Sequence, residues 1–102
     1  MRVAARLERA MAQDQRRYAR VAVQVSAGFG AADRPSSAVT VIDLSSHGCG
    51  IEVESHVEPG ARVWIRLPGL EGWGARVAWA RDGRAGLEFD RPMHPAVVGR
   101  YL

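Results

Sequence analysis

The sequence predicts an all-β domain, a six-stranded antiparallel barrel preceded by a short N-terminal helix and a basic arm. Three observations carry this expectation. Six short segments alternate apolar and polar residues with a period of two. Clusters of Gly, Pro, Asp and Ser separate them. No helical pattern lies between them, which excludes the crossovers a parallel sheet needs. A barrel is preferred to a sandwich because closure removes strand edges that a chain of 102 residues has little material to cover.

The elements follow in order. Val3, Leu7 and Met11 recur every four residues among alanines and predict a helix within residues 1–14. Residues 15–20 (QRRYAR) form a basic link. At Val21 the period changes to two, and Val21, Val23 and Val25 alternate with Ala22, Gln24 and Ser26 as the first strand. Gly28, Gly30, Asp33, Pro35, Ser36 and Ser37 read as a turn-rich loop. Residues 38–44 (AVTVIDL) form the second strand, 45–48 a tight turn, and 49–54 the third strand with Cys49, Ile51 and Val53 on one face. Pro59-Gly60 precedes the fourth strand at 62–67. A glycine-containing loop at 68–74 leads to the fifth strand at 76–81. Asp82-Gly83 marks a hairpin into the sixth strand at 84–89. The barrel thus spans 21–91, and the tail 92–102 holds at most a short helix from Pro95. The expected core is Val21, Val23, Val25, Val41, Ile51, Val53, Val63, Ile65, Leu67, Val77, Leu87 and Phe89.

Composition narrows the function. A hydrophobic fraction of 47% with 25% charged residues is that of a globular protein. No apolar run approaches the roughly 20 residues of a membrane-spanning helix. Arg and Glu interrupt the first residues, unlike a secretory signal. One cysteine cannot form an internal disulfide. A cytoplasmic location is therefore expected, with no membrane insertion. All 14 basic residues are Arg. Without Lys there is no Walker-type phosphate loop, no Schiff base and no lysine base. Guanidinium forks remain, suited to phosphates, guanine edges and stacking.

Catalysis and metal binding find no support. Asp43, Ser45 and His47 alternate along one segment, whereas a hydrolytic triad draws its members from separated elements. His47, His56 and His94 are scattered without metal-ligand spacing, so no metal site and no cofactor are expected. The chain is read as a binding protein and not an enzyme.

Two motifs stand out. Arg16-x-x-x-Arg20 lies in the basic link. Alone it has little weight, because about two such pairs arise by chance at this Arg content. Asp43-x-Ser45-x-x-Gly48 closes the second strand and runs through a turn. About 0.03 occurrences are expected by chance, so it is the stronger signal. Its plain structural reading is a turn in which Asp and Ser bond local amides and Gly supplies positive φ.

Together, in this order and on these elements, the motifs resemble those of the PilZ domain. Pro59-Gly60 before an alternating strand, Val77-x-Trp79 and Gly86-x-x-Phe89 extend the resemblance over residues 16–90. It implies a six-stranded PilZ-like barrel that binds cyclic di-GMP and signals through a downstream protein. It assigns ligand contacts to Arg16, Arg20, Asp43, Ser45 and Gly48, with subsidiary roles for Arg17 and Trp79. The assignment makes chemical sense. Guanidinium forks meet the guanine O6/N7 edge, stack on the base or clamp phosphate. An ionised Asp43 accepts from guanine N–H donors. Ser45 can donate to an oxygen, and Gly48 lets backbone approach. Tyr18 either stacks on a base or packs on the barrel. The expected mechanism is a cationic arm that wraps onto the barrel when the dianion binds. Two other readings stay open: a nucleotide-independent interaction adaptor, and a single-stranded nucleic-acid-binding barrel. Asp43, Glu52 and Glu54 would oppose a polyanion in the latter, so nucleic acid is the weaker candidate.

Overall fold

The computed structural model describes residues 20–102. The helix expected within residues 1–14, and Arg16, Arg17 and Tyr18 of the arm, lie outside the described residues. Six antiparallel strands close into a barrel in the order β1-β2-β3-β6-β5-β4. They are β1 (Val21–Ala31), β2 (Arg34–Leu44), β3 (Gly48–Glu52), β4 (Arg62–Arg66), β5 (Trp73–Arg81) and β6 (Arg84–Phe89). A short helix, α1 (Pro95–Val98), follows, with a 3-10 turn over Gly99–Tyr101. His94 caps α1 by accepting the Ala96 amide on Nδ1 at 3.0 Å, and Pro95 occupies the first turn, where no amide is needed.

The alternating residues point where their period demands. Val41, Ile51, Ile65 and Val77 are fully buried, and Val53, Val63, Leu67, Leu87 and Phe89 nearly so. Val21, Val23 and Val25 depart from expectation and are only half-buried. They keep the inward phase, but β4 pairs with β1 only at Gly28–Gly30, so the wall beside these valines is missing among the described residues.

The largest correction concerns residues 28–37. The expected loop is strand on both sides of a tip at Ala32-Asp33. Gly28 and Gly30 are there for space. A Cβ on Gly30 would drive into the indole of Trp64, which crosses β1 from β4, and one on Gly28 would touch Trp64 and Arg66. Phe29, between the two glycines, is completely buried. Pro35 falls at an irregularity in the β1–β2 register, between the pairs Phe29↔Ser37 and Ala31↔Arg34, where a missing amide does least harm. A smaller correction applies to Trp73 and Gly74, expected in a loop and found as the start of β5. A Cβ on Gly74 would collide with the Asp90 carboxylate, which β6 delivers across it. True turns sit where positive φ demands them: Gly60, Gly69 and the Asp82-Gly83 hairpin, whose two residues both have φ above +50°.

Closure of the barrel thus depends on Trp64 lying flat over bare backbone. Gly30→Ala is expected to cost about 1–3 kcal/mol in urea unfolding, as overpacking does. Because the added methyl meets only the indole, the double variant Gly30→Ala/Trp64→Ala should be less destabilised than the sum of the two single variants.

Candidate functional site

Asp43 and Ser45 stand on either side of Leu44, whose side chain is fully buried and ends β2. Beyond it the backbone folds into a compact bend. The Ser45 amide donates to the Gly48 carbonyl at 2.9 Å. The Ser45 hydroxyl accepts the His47 amide at 3.1 Å and reaches the Gly48 carbonyl at 3.4 Å. Ser45 is 3% exposed, so its hydroxyl is spent on shaping the bend. The bend is also held from behind. The Phe89 amide donates to the His47 carbonyl and the Met93 amide to the Ser46 carbonyl, each at 2.8 Å.

Gly48 corrects the sequence reading. It does not adopt positive φ. Glycine is required because a Cβ would run into the Leu87 carbonyl oxygen of β6, with which Gly48 and Cys49 pair. Backbone cannot swing aside as a side chain does, so the strand contact itself excludes larger residues.

Arg20 immediately precedes β1, and Ala22 pairs with Asp43 across the β1–β2 ladder. Arg20 Nη1 lies 2.7 Å from Asp43 Oδ1, with both side chains roughly two-thirds buried. The same oxygen accepts the Gly50 amide at 2.8 Å. The structure therefore joins the end of one motif to the start of the other across 23 residues of sequence. Gly50 is the partner of Asp43 on β3, and a Cβ there would stand 2.7 Å from Oδ2. Its bare backbone is the floor on which the carboxylate lies.

The same device recurs on the next strand round. Gly50 pairs with Gly86 of β6, and Gly86 with Trp79 of β5. A Cβ on Gly86 would collide with the indole of Trp79. Asp43, Gly50, Gly86 and Trp79 thus form one rung across β2, β3, β6 and β5, about 14 Å long at the usual strand spacing. Asp43 leans over one glycine and Trp79 over the other. The result is a shallow shelf on the outer wall, walled by an ion pair at one end and a half-buried indole at the other. Arg81 stacks over that indole at 5.1 Å and forms no ion pair with a described acid. The sequence reading omits Gly50, and it uses Gly86 only in the Gly86-x-x-Phe89 pattern and gives it no place in the site. The signal was available in principle, since glycine on the outward phase of a strand marks close approach by a neighbour.

Beneath the shelf lies Cys49, fully buried. Burial pushes its thiol up to about 12, the Asp43 carboxylate adds to the rise, and Arg20 opposes it. The shelf offers an acceptor carboxylate, a guanidinium and an aromatic face, the complement of a purine that carries N–H donors beside an anion. Among the described residues no group of His, Cys, Asp or Glu is placed to hold a metal ion.

Comparison with known proteins bears on this geometry. The family model described as PilZ domain matches residues 14–101. Among solved structures the chain is similar to the PilZ domain of CeSA from a cellulose-synthesizing bacterium. That match has a TM-score of 0.59 at 22% identity and covers 69% of this chain and 78% of the other. Comparison with curated proteins yields no match.

The buried thiol gives a test of the packing under the shelf. In the unfolded chain it titrates near its ordinary value of 9, whereas in the native state it does so at about 12. Between these values the unfolded state has released a proton that the native state keeps, so stability falls as pH rises. The decline is roughly 1.4 kcal/mol per pH unit. The stability advantage of wild type over Cys49→Ala should therefore shrink by about 1 kcal/mol on going from about pH 8 to about pH 10, measured by urea unfolding.

Proposed function

Because the chain belongs to the PilZ domain family, whose members are in general cyclic di-GMP effector modules, we propose that it is a cyclic di-GMP receptor whose ligand lies on the shelf between the Arg20–Asp43 pair and Trp79. The observation that carries this reading is the ion pair itself, which unites the two motifs over a glycine floor. Asp43 Oδ1 is engaged by Arg20 and Gly50, while Oδ2 accepts no hydrogen bond from the described residues. Oδ2 is the acceptor for guanine N1–H and N2–H₂. Trp79 supplies an aromatic surface, and Arg81 over its ring enriches the site in positive charge. Arg20 turns part of its fork to phosphate or to the guanine O6/N7 edge, and Arg16 and Arg17 bring further positive charge to the phosphates.

Ser45 and Gly48 act at one remove in this scheme. They fix the bend that presents Asp43, the serine through its hydroxyl and the glycine through its contact with β6. The protein binds and relays, and no bond is made or broken. Since Arg20 directly precedes β1, ligand capture changes the surface at the start of that strand, and a partner protein in the cytoplasm reads the change. A polyanion is a poorer ligand for this barrel. The nine Arg of residues 20–102 are matched by nine Asp and Glu, and Asp43 stands at the centre of the site.

Calorimetry with cyclic di-GMP tests the assignment. Arg20→Ala and Asp43→Ala should each weaken binding by about 1.5–3 kcal/mol, the range for hydrogen bonds to charged groups. Trp79→Ala should cost about 1–3 kcal/mol, as lost base stacking does. GMP and cyclic di-AMP should bind far more weakly. Unchanged affinity in both charge variants would overturn the site, and no response to cyclic di-GMP would overturn the function.

A further inference from the structure

We propose that the open edge of β1, with the groove beside it, is a docking site for an extended, acidic segment of a partner protein. The inference goes beyond the receptor reading and stands on different residues. β1 has eleven residues, yet β4 pairs only with Gly28–Gly30. β4 stops at Arg66, and Pro68 and Gly69, the latter with φ +81°, turn the chain away. Among the described residues nothing pairs with the β4-facing side of Val21–Ala27. A strand continuing the line of β4 would find its hydrogen-bonding partners already laid out.

The molecule treats its two overhanging edges differently. β3 pairs with β2 only over Thr40–Leu44, so β2 also overhangs, from Arg34 to Val39. That overhang carries Arg34 and Pro35, and Arg34 is tied to the Ser55 hydroxyl and the His56 carbonyl. Charge and proline are the usual means of blocking strand addition. The β1 overhang, Val-Ala-Val-Gln-Val-Ser-Ala, has neither. Its one irregularity, a bulge between Ala22 and Val25, leaves Val25–Ala27 regular and next to the groove.

The groove specifies the occupant. It measures about 530 Å³ and lies between Ser26 and Gly28 on one side and Arg66 and Pro68 on the other, with Ser37 and Trp64 also lining it. Trp64 offers an apolar surface, and Arg66 stacks over it at 5.6 Å without pairing to any described acid. No acid lines the groove. An added strand would place an apolar side chain on Trp64 and answer Arg66 with a carboxylate. Among the described residues a second copy of this chain offers only its own unblocked edge, β1, and that strand contains no acid from Val21 to Ala31. Charge complementarity therefore selects a foreign acidic strand. The site is also well placed for output, because Arg20 of the ligand shelf is the residue immediately before this edge.

The test uses the full chain, labelled for amide NMR, and a synthetic eight-residue peptide alternating Thr and Val with one central Asp. Shifts should concentrate on residues 22–28 and 64–69. Replacing the peptide Asp with Asn, or Arg66 with Glu in the protein, should weaken binding at least two- to fivefold, the scale of an exposed ion pair. Proline at alternate peptide positions should abolish it by removing ladder amides. No shifts with the Asp peptide, shifts centred elsewhere, or equal binding of the proline peptide would overturn the site. The same residues shifting with protein concentration alone would assign the edge to a second copy and overturn the partner assignment. Asp43→Ala should keep the peptide response while weakening cyclic di-GMP binding, so failure of either proposal is read separately.

Discussion

Barrel walls are crowded because every outward position normally carries a Cβ, and neighbouring side chains stand up from the sheet. In this protein several outward positions lack one, and at four of them a neighbouring side chain lies down in the space: Trp64 over Gly30, Asp43 over Gly50, Trp79 over Gly86 and Asp90 over Gly74. The first closes the β1–β4 seam, which has only three paired residues on each strand. The second and third build the shelf. The fourth lets Asp90 meet Arg62 at 2.9 Å across the β4–β5–β6 corner. One constraint, absence of a methyl at a few sites, thus supports both the closure of the fold and the shape of the shelf.

The charge pair on that surface is also set by packing. Asp43 is held by the Gly50 amide as well as by Arg20, so its orientation does not depend on the arginine alone. Both partners keep nearly a third of their side-chain surface in water, which spares them the desolvation cost of a fully buried pair. Below them Cys49 remains a neutral thiol because burial and the nearby carboxylate both disfavour the thiolate. An outer charged layer therefore rests on an apolar layer that stays uncharged throughout the physiological range.

Much of this was legible in the sequence, and the exceptions share a cause. Period two located Val41, Ile51, Val63, Ile65, Val77, Leu87 and Phe89, because inside-outside alternation is imposed by the pleat, but it missed Leu44, which the bulge between Val41 and Asp43 turns inward. The two motifs pointed to Arg20 and Asp43, which the fold brings together. Glycine was the source of error. Gly28 and Gly30 read as turn formers, yet they serve a tryptophan more than thirty residues away, so Phe29 was lost from the expected core. At Gly48 the motif suggests a φ requirement, whereas the constraint is the carbonyl of Leu87. A glycine's local freedom can be read from its neighbours in sequence. The space it vacates is filled by a residue chosen by topology, and that information is not local.

The bend between β2 and β3 is fastened to the far end of the chain, through the amides of Phe89 and Met93. Met93 is itself buried, and α1 begins two residues later, ending near the Tyr101 hydroxyl that donates to the Pro68 carbonyl at 2.5 Å. Through Met93 the last dozen residues therefore act as a latch on the underside of this bend. The one backbone bond from Met93 thus ties the C-terminal segment to Ser46, three residues from the Asp43 carboxylate.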